Sequence, residues 1–180
     1  MPSSVPSARI RGAQPDDADA LVGLQTSIYH EDLWFVGDGP PSAERLRRRL
    51  RGLETEMELY LVAGHWANGQ PPRLYAWLEL NRFFTAKMKH VAMLTLAVSR
   101  ERRRQGLGRR LLACACDWAE EVGVEKVQLN VRASNAAAVA LYQAEGFVLE
   151  GRERRQIKTS SGYDDNLLMS RFLQEGSRGG

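Results

Sequence analysis

Apolar residues recur along this chain with two different periods, and those periods divide it into strands and helices. Val127, Leu129 and Val131 alternate with polar neighbours over residues 126–131, the two-residue repeat of a strand with one buried face. Leu107, Leu111, Leu112, Ala115, Ala119 and Val122 follow the 3.6-residue repeat instead. They predict a helix from Gly106 with a broad apolar side, stopped by Gly123. Residues 91–98, rich in Leu, Thr and Val, form the strand that leads to it. Upstream, residues 8–12 predict a short first strand. Pro15, Asp16 and Asp17 then open a helix that runs to about Tyr29, with proline early and carboxylates where the helix dipole favours them. Residues 31–41 hold Trp34, Phe35, two glycines and two prolines, and read as an irregular loop with aromatic anchors. Ser42 is a candidate N-cap for a helix to about Leu53. Residues 59–65 and 74–83 make a hairpin around the turn at 67–72. Ser134 or Asn135 caps a helix ending near Gly146, and residues 147–157 and 163–173 are the last strands, joined by Thr159-Ser160-Ser161-Gly162. Strand, helix, strand, helix and a closing hairpin give an α/β domain on a mixed sheet.

Bulk properties narrow the class. A chain of 180 residues is one ordinary domain, expected over 8–174, with Ser- and Pro-rich residues 1–7 and Gly-rich residues 175–180 as disordered tails. Apolar content of 43% and charged content of 26% fit a soluble globular protein, and the apolar runs are too short to span a bilayer. Met1-Pro2-Ser3-Ser4-Val5 lacks the pattern of a secretory signal, so the expected location is cytoplasmic. Cys114 and Cys116 lie two apart on one helix and point about 200° from each other, which prevents pairing and leaves them as core or boundary residues. With three histidines and no further cysteine, no metal site is expected.

The net charge is +3, but arginines are clustered. Arg45, Arg47, Arg48, Arg49 and Arg51 form one group on a helix, read as a solvated face. Arg100, Arg102, Arg103, Arg104, Arg109 and Arg110 surround Arg103-Arg104-Gln105-Gly106-Leu107-Gly108, between the strand at 91–98 and the helix that follows. A glycine-bearing turn that opens a helix presents free backbone N–H groups at the positive end of the helix dipole, a phosphate-binding device. Gly106 and Gly108 admit a ligand close to the backbone, and flanking arginines add charge-assisted contacts. The arginines lack interleaved aromatic residues, which argues against a nucleic-acid surface.

Further along stands Asn135-Ala136-Ala137-Ala138-Val139-Ala140-Leu141-Tyr142-Gln143-Ala144-Glu145-Gly146-Phe147. With the glycine loop, this segment resembles the GNAT superfamily of N-acetyltransferases: a loop of the form Arg/Gln-x-x-Gly-x-Gly/Ala, then Asn-x-x-Ala-x-x-Leu-Tyr-x-x-x-Gly-Phe. The resemblance spans about residues 91–173, and the N-terminal half fits in outline. It implies a mostly antiparallel central sheet flanked by helices, with the strands at 91–98 and 126–131 splayed at one end. It also implies acetyl-CoA as cosubstrate. The pantetheine arm would lie along Leu96, Ala97 and Val98, and the pyrophosphate on Arg103, Arg104, Gln105, Gly106, Leu107, Gly108 and Arg109, with Asn135 adding a contact to its capping role. A backbone N–H near Leu96 would polarise the thioester carbonyl.

By the same resemblance Tyr142 is the general acid for the departing thiolate, and an amine acceptor attacks directly in a ternary complex. A core tyrosine with a bonded hydroxyl is the plainer alternative. Many relatives carry a Glu near the position of Met93, where this chain has no carboxylate. Glu79 is then the best candidate base, unless it is a solvent-facing edge residue. His90, Asp164 and Asp165 are further candidates, against roles as a surface histidine and turn caps. Loop 31–41, with Glu31, Asp32, Trp34 and Phe35, and hairpin 152–163 are expected to wall the acceptor. A coenzyme-binding protein that has lost catalysis is the rival reading. Partners are expected to be acetyl-CoA and an amine, with no nucleic acid or membrane, and a homodimer is left open.

Overall fold

The computed structural model describes residues 8–31, 34–37, 39–67 and 69–173. The expected tails at 1–7 and 175–180, and the candidate acceptor residue Asp32, lie outside the described residues. Among the described residues, seven strands form one sheet: β1 (Arg9–Gly12), β2 (Glu58–His65), β3 (Arg73–Arg82), β4 (Val91–Val98), β5 (Lys126–Arg132), β6 (Val148–Thr159) and β7 (Gly162–Phe172). Their spatial order is β1-β2-β3-β4-β5-β7-β6. Every neighbouring pair is antiparallel except β4 and β5. Four helices flank the sheet: α1 (Ala18–Tyr29), α2 (Ala43–Arg51), α3 (Leu107–Glu121) and α4 (Ala136–Ala144). The pattern predicted the mixed α/β sheet, and the resemblance implied its mostly antiparallel pairing.

The two-residue period decides which side chain faces which layer. On β2, Tyr60 and Val62 pack with Leu21, Ile28 and Leu46 of α1 and α2, while Leu61 and Ala63 point through to Leu111, Leu112 and Ala115 of α3. Both faces of the central strands are therefore covered, which is why they read as nearly continuous apolar runs. Of the two cysteines, Cys116 is buried and Cys114 exposed, as their half-turn separation requires.

Some boundaries differ from the pattern. Residues 15–17 form a single 3-10 turn before α1, because the Gln14 N–H bonds the Asp17 carboxylate at 2.7 Å. Asp17 is buried and also takes two hydrogen bonds from Arg11, at 2.6 and 2.8 Å. Helix α2 stops at Arg51, before Gly52. Strand β6 runs to Thr159 and carries two irregularities, at Leu149/Gly151 and Glu153/Ile157. Arg155 sits in the second with φ +54°.

The feature that positions the site is the length of the parallel ladder. β4 and β5 pair only at Val91↔Lys126, Ala92↔Val127 and Met93↔Gln128. Beyond Met93 the strands separate, while β4 keeps its antiparallel ladder to β3 as far as Val98↔Ala76.

The β2–β3 hairpin contains a bulge at Ala63/Gly64, where a Cβ on Gly64 would sit 2.4 Å from the Arg73 carbonyl oxygen. Gly123 stops α3 at φ +78° with open space around it. Gly64→Ala should therefore cost about 2–3 kcal/mol by overpacking, and Gly123→Ala about 1 kcal/mol by backbone strain alone. Urea denaturation of both variants checks the order, and equal losses would remove the steric role of Gly64.

Candidate active site

The loop that follows β4 is built from backbone conformations that side chains resist. Arg104 has φ +62°, in the left-handed region that non-glycine residues seldom occupy, and Gly106 follows at φ +77° as the N-cap of α3. The backbone N–H groups of Leu107, Gly108 and Arg109 lead the helix. They precede its first internal bond, from the Arg110 N–H to the Gly106 carbonyl at 3.1 Å. Gly106 is needed for its φ, because a Cβ there would meet nothing within 4 Å. Gly108 is needed for close approach: its Cβ would lie 3.1 Å from Leu141 of α4, with Leu96 and Val98 of β4 just beyond. The first turn of α3 thus rests directly on the separated end of β4.

The arginine side chains around this loop go elsewhere than the sequence suggests. Arg103 is the clearest correction. Its Nη1 and Nη2 donate to both carboxylate oxygens of Glu31 at 2.7 Å, and its Nε donates to the Val98 carbonyl at 2.9 Å. Arg109 pairs with Glu145 beyond the end of α4. Arg102 lies over the Tyr75 ring and Arg110 bonds the Ala8 carbonyl. Gln105 donates to the Glu101 carbonyl at 3.0 Å. Arg104 is exposed at the turn. What the loop offers an anion is principally its backbone.

Between the separated strands opens a cleft of ≈ 460 Å³. Leu96, Asn135 and Tyr142 line one part of it, and Glu79, Tyr29, Phe35 and Trp77 another. Asn135 caps α4 by accepting the Ala138 N–H at 3.1 Å. Tyr142 is 6% exposed and packs against Phe147. Burial alone pushes its phenol well above the usual tyrosine range, so it carries its proton across the working pH range.

Glu79 is not an edge residue. β3 lies inside the sheet, and Glu79, 17% exposed at its side chain, faces the cleft. Arg49 of α2 holds it at 2.7 Å and also bonds Asn81 at 2.9 Å and Glu58 at 3.3 Å. Burial, reinforced by the Glu79 charge, raises the Tyr29 and Tyr60 phenols.

The other candidate bases are outside the cleft. His90 is exposed where β4 and β5 are still paired, and its carbonyl accepts from Glu125 and Lys126. Asp164 bonds Ser134 and Arg132. Burial would raise its carboxyl, but these bonds and the Asp165 N–H outweigh it and hold the group below its usual range. Asp165 is lowered by the Arg155 N–H and by Arg152, so both aspartates brace the hairpin as carboxylates. Loop residues Trp34, Phe35, Val36 and Pro41 do line the cleft, but residues 152–163 do not; Asn166 and Arg132 stand on that side instead. Arg49, Tyr60 and Asn130 are also lining residues that sequence reasoning missed. Arg49 had a usable signal: it follows the buried Leu46 by three, on the edge of the apolar stripe and not on the opposite face.

A model of the acetyltransferase (GNAT) family matches residues 28–147. The chain belongs to this family. Over 83 residues it is 40% identical to the [ribosomal protein bS18]-alanine N-acetyltransferase of Escherichia coli K12, a match covering 46% of this chain and 56% of that one. It therefore spans little more than half the length of the curated relatives it matches. Among solved structures, a GNAT-family acetyltransferase from Streptococcus pneumoniae superposes with a TM-score of 0.82 at 28% identity, covering 93% of this chain and 99% of that one. The E. coli ribosomal-protein-S18-alanine N-acetyltransferase superposes at 0.68 and 26%, covering 94% and 97%. In this GNAT chain, the separated strands β4 and β5 and the capped α4 border one cleft, and the first turn of α3 packs on the same end of β4.

The buried phenols give a titration test. The folded state keeps Tyr60 and Tyr142 protonated above the unfolded value of about 10, so their contribution is full below that pH and is lost as pH rises past it. Phenolate absorbance should show both silent until the fold collapses, and Tyr142→Phe should flatten the alkaline fall in unfolding free energy. Ionisation of Tyr142 near pH 10 in the intact fold would contradict its burial.

Proposed function

We propose that this chain is an acetyl-CoA-dependent N-acetyltransferase that transfers the acetyl group directly to an amine in a ternary complex. The observation that carries the reading is the parallel ladder that ends at Met93 and opens onto the first turn of α3. The residues present fit the cosubstrate. The Leu107, Gly108 and Arg109 N–H groups stand at a helix start ahead of its first internal bond, the position that receives a pyrophosphate, and Gly108 lets that start pack on Leu141, Leu96 and Val98. The β4 backbone at Leu96, Ala97 and Val98 has lost its β5 partner and offers a strand edge to an amide-bearing arm. A backbone N–H there polarises the thioester carbonyl.

Tyr142 then donates its hydroxyl proton to the departing sulfur; burial keeps the phenol protonated and also makes it a weaker acid than a free tyrosine. Glu79, held by Arg49, attracts the cationic amine and receives its proton directly or through water. Holding both reactants in one cleft supplies much of the acceleration as effective molarity.

The acceptor class follows from charge. The cleft presents Glu79, which meets Arg49 through its Oε2 and shares that cation with Glu58, so the cluster keeps a net negative charge that suits an ammonium. Its arginines are already matched, Arg49 to Glu79 and Arg132 to Asp164. A substrate carboxylate would have to displace one of these. The reading is therefore an amine without a neighbouring carboxylate, as at a peptide N-terminus. The relatives named for an alanine of ribosomal protein bS18 support it.

Met93 lines the cleft without a carboxylate, which favours one alternative, a coenzyme-binding protein without turnover. A panel of alaninamide, an alanine-initiated peptide, a polyamine and free alanine, read by thiol release, decides between them. Alaninamide and the peptide should exceed free alanine in kcat/KM by about tenfold or more, roughly 1.4 kcal/mol. Equal use of free alanine would sink the charge argument, and tight acetyl-CoA binding without release from any amine would leave the alternative.

Tyr142→Phe removes one hydroxyl and keeps the ring. Its single-turnover rate should fall by about one to three orders of magnitude with acetyl-CoA affinity nearly unchanged. A wild-type rate would assign thiolate protonation to water.

A further inference from the structure

The Arg103 side chain spans from the glycine loop to the acceptor side of the cleft. Three of its N–H groups are committed, two to Glu31 and one to the last carbonyl of β4. Glu31 is equally committed: both oxygens accept from Arg103, and one also accepts the Trp34 indole N–H at 2.7 Å. The Arg103 guanidinium lies 5.3 Å from the Trp34 ring centroid. Both partners are largely covered, with side chains 27% and 19% exposed. Next in sequence, Phe35 stacks between Tyr29 at 5.0 Å and Trp77 at 5.6 Å. A continuous line of contacts thus runs from the glycine loop through Arg103, Glu31 and Trp34 into the aromatic wall beside Glu79.

We propose that Arg103 is a positioning residue for the acceptor wall and that the Arg103–Glu31 pair fastens that wall to the glycine loop. The role rests on the proposed acetyltransferase reading for its kinetic consequence, though not for its structural one. The fork geometry argues for it. A planar guanidinium that already makes a two-bond match with a carboxylate cannot turn to a phosphate without leaving a covered Glu31 without its partner. The loop's own conformation is held by Gly106 and by the packing of α3 on β4 and α4, so loss of the pair frees the wall and leaves the loop in place.

The test compares Arg103→Met, Glu31→Gln and the double variant with the unsubstituted protein. Acetyl-CoA affinity by calorimetry should stay within about threefold for each. KM for alaninamide should rise on the order of tenfold in each single variant and no further in the double, while the single-turnover rate at saturating amine stays close to wild type. Amide hydrogen exchange at residues 34–37 should quicken in all three. That last measurement needs no turnover, so it judges the joint even if no amine in the panel is acetylated. The proposal is overturned if Arg103→Met loses about tenfold or more in acetyl-CoA affinity. It is overturned equally if Glu31→Gln leaves both KM and exchange at 34–37 unchanged in a folded protein, or if the two substitutions add independently.

Discussion

A parallel strand pair has no hairpin to fix its extent, so its length is decided by what its flanking helices allow. Here the helix that crosses from β4 to β5 begins against the far end of β4, with Gly108 close to Leu141, and α4 begins as soon as β5 ends. Three residue pairs are what remain of the parallel ladder. The cleft, the exposed edge of β4 and the access to α3's first turn all follow from that shortness. An opened ladder forfeits hydrogen bonds that a longer one would make. The sheet sustains the loss because the antiparallel ladders on either side, β3 to β4 and β5 to β7, run uninterrupted past it.

The two layers of helices divide the work. The α3 and α4 layer supplies a dense apolar packing that fixes the helix start and Tyr142. The α1 and α2 layer is built with more polar joints: Gln25 to Tyr60, Arg49 to Glu79, Asp17 to Arg11. Polar joints define geometry through direction as well as contact, and their placement on the acceptor side suits a wall whose chemistry must be specific.

Local features were legible in the sequence. Gly106 at its turn, Asn135 as a cap and the periods of α3 and β5 all depend on neighbours within a few positions. Pairings across long chain separations were not. Arg103 and Glu31 lie 72 positions apart and Arg49 and Glu79 lie 30 apart, so no periodicity links them. Arg103 was the most misleading, since its place in the loop suggested phosphate while its side chain turns to a carboxylate. Asp164 and Asp165 look like chemistry in sequence and prove to be braces, because their arginine partners come from β5 and β6. The opening between β4 and β5 came from resemblance alone; neither the apolar run of β4 nor the alternation of β5 gives a sign of where pairing stops.

The outer strand β6 shows how the sheet's free border is kept from acting as a template. It is the last strand in the order, twelve residues long and largely exposed, with Val148 and Leu149 uncovered at its start. A flat border of that length would invite another chain to add to it. Its second irregularity interrupts it instead: Arg155 turns to a positive φ, and its N–H bonds the Asp165 carboxylate on the neighbouring strand. A visiting strand would find the hydrogen-bonding rhythm broken midway and a row of charges, Arg152, Glu153, Arg154 and Arg155, across the break. Continuous sheet extension along β6 is thereby disfavoured by one residue's backbone angle.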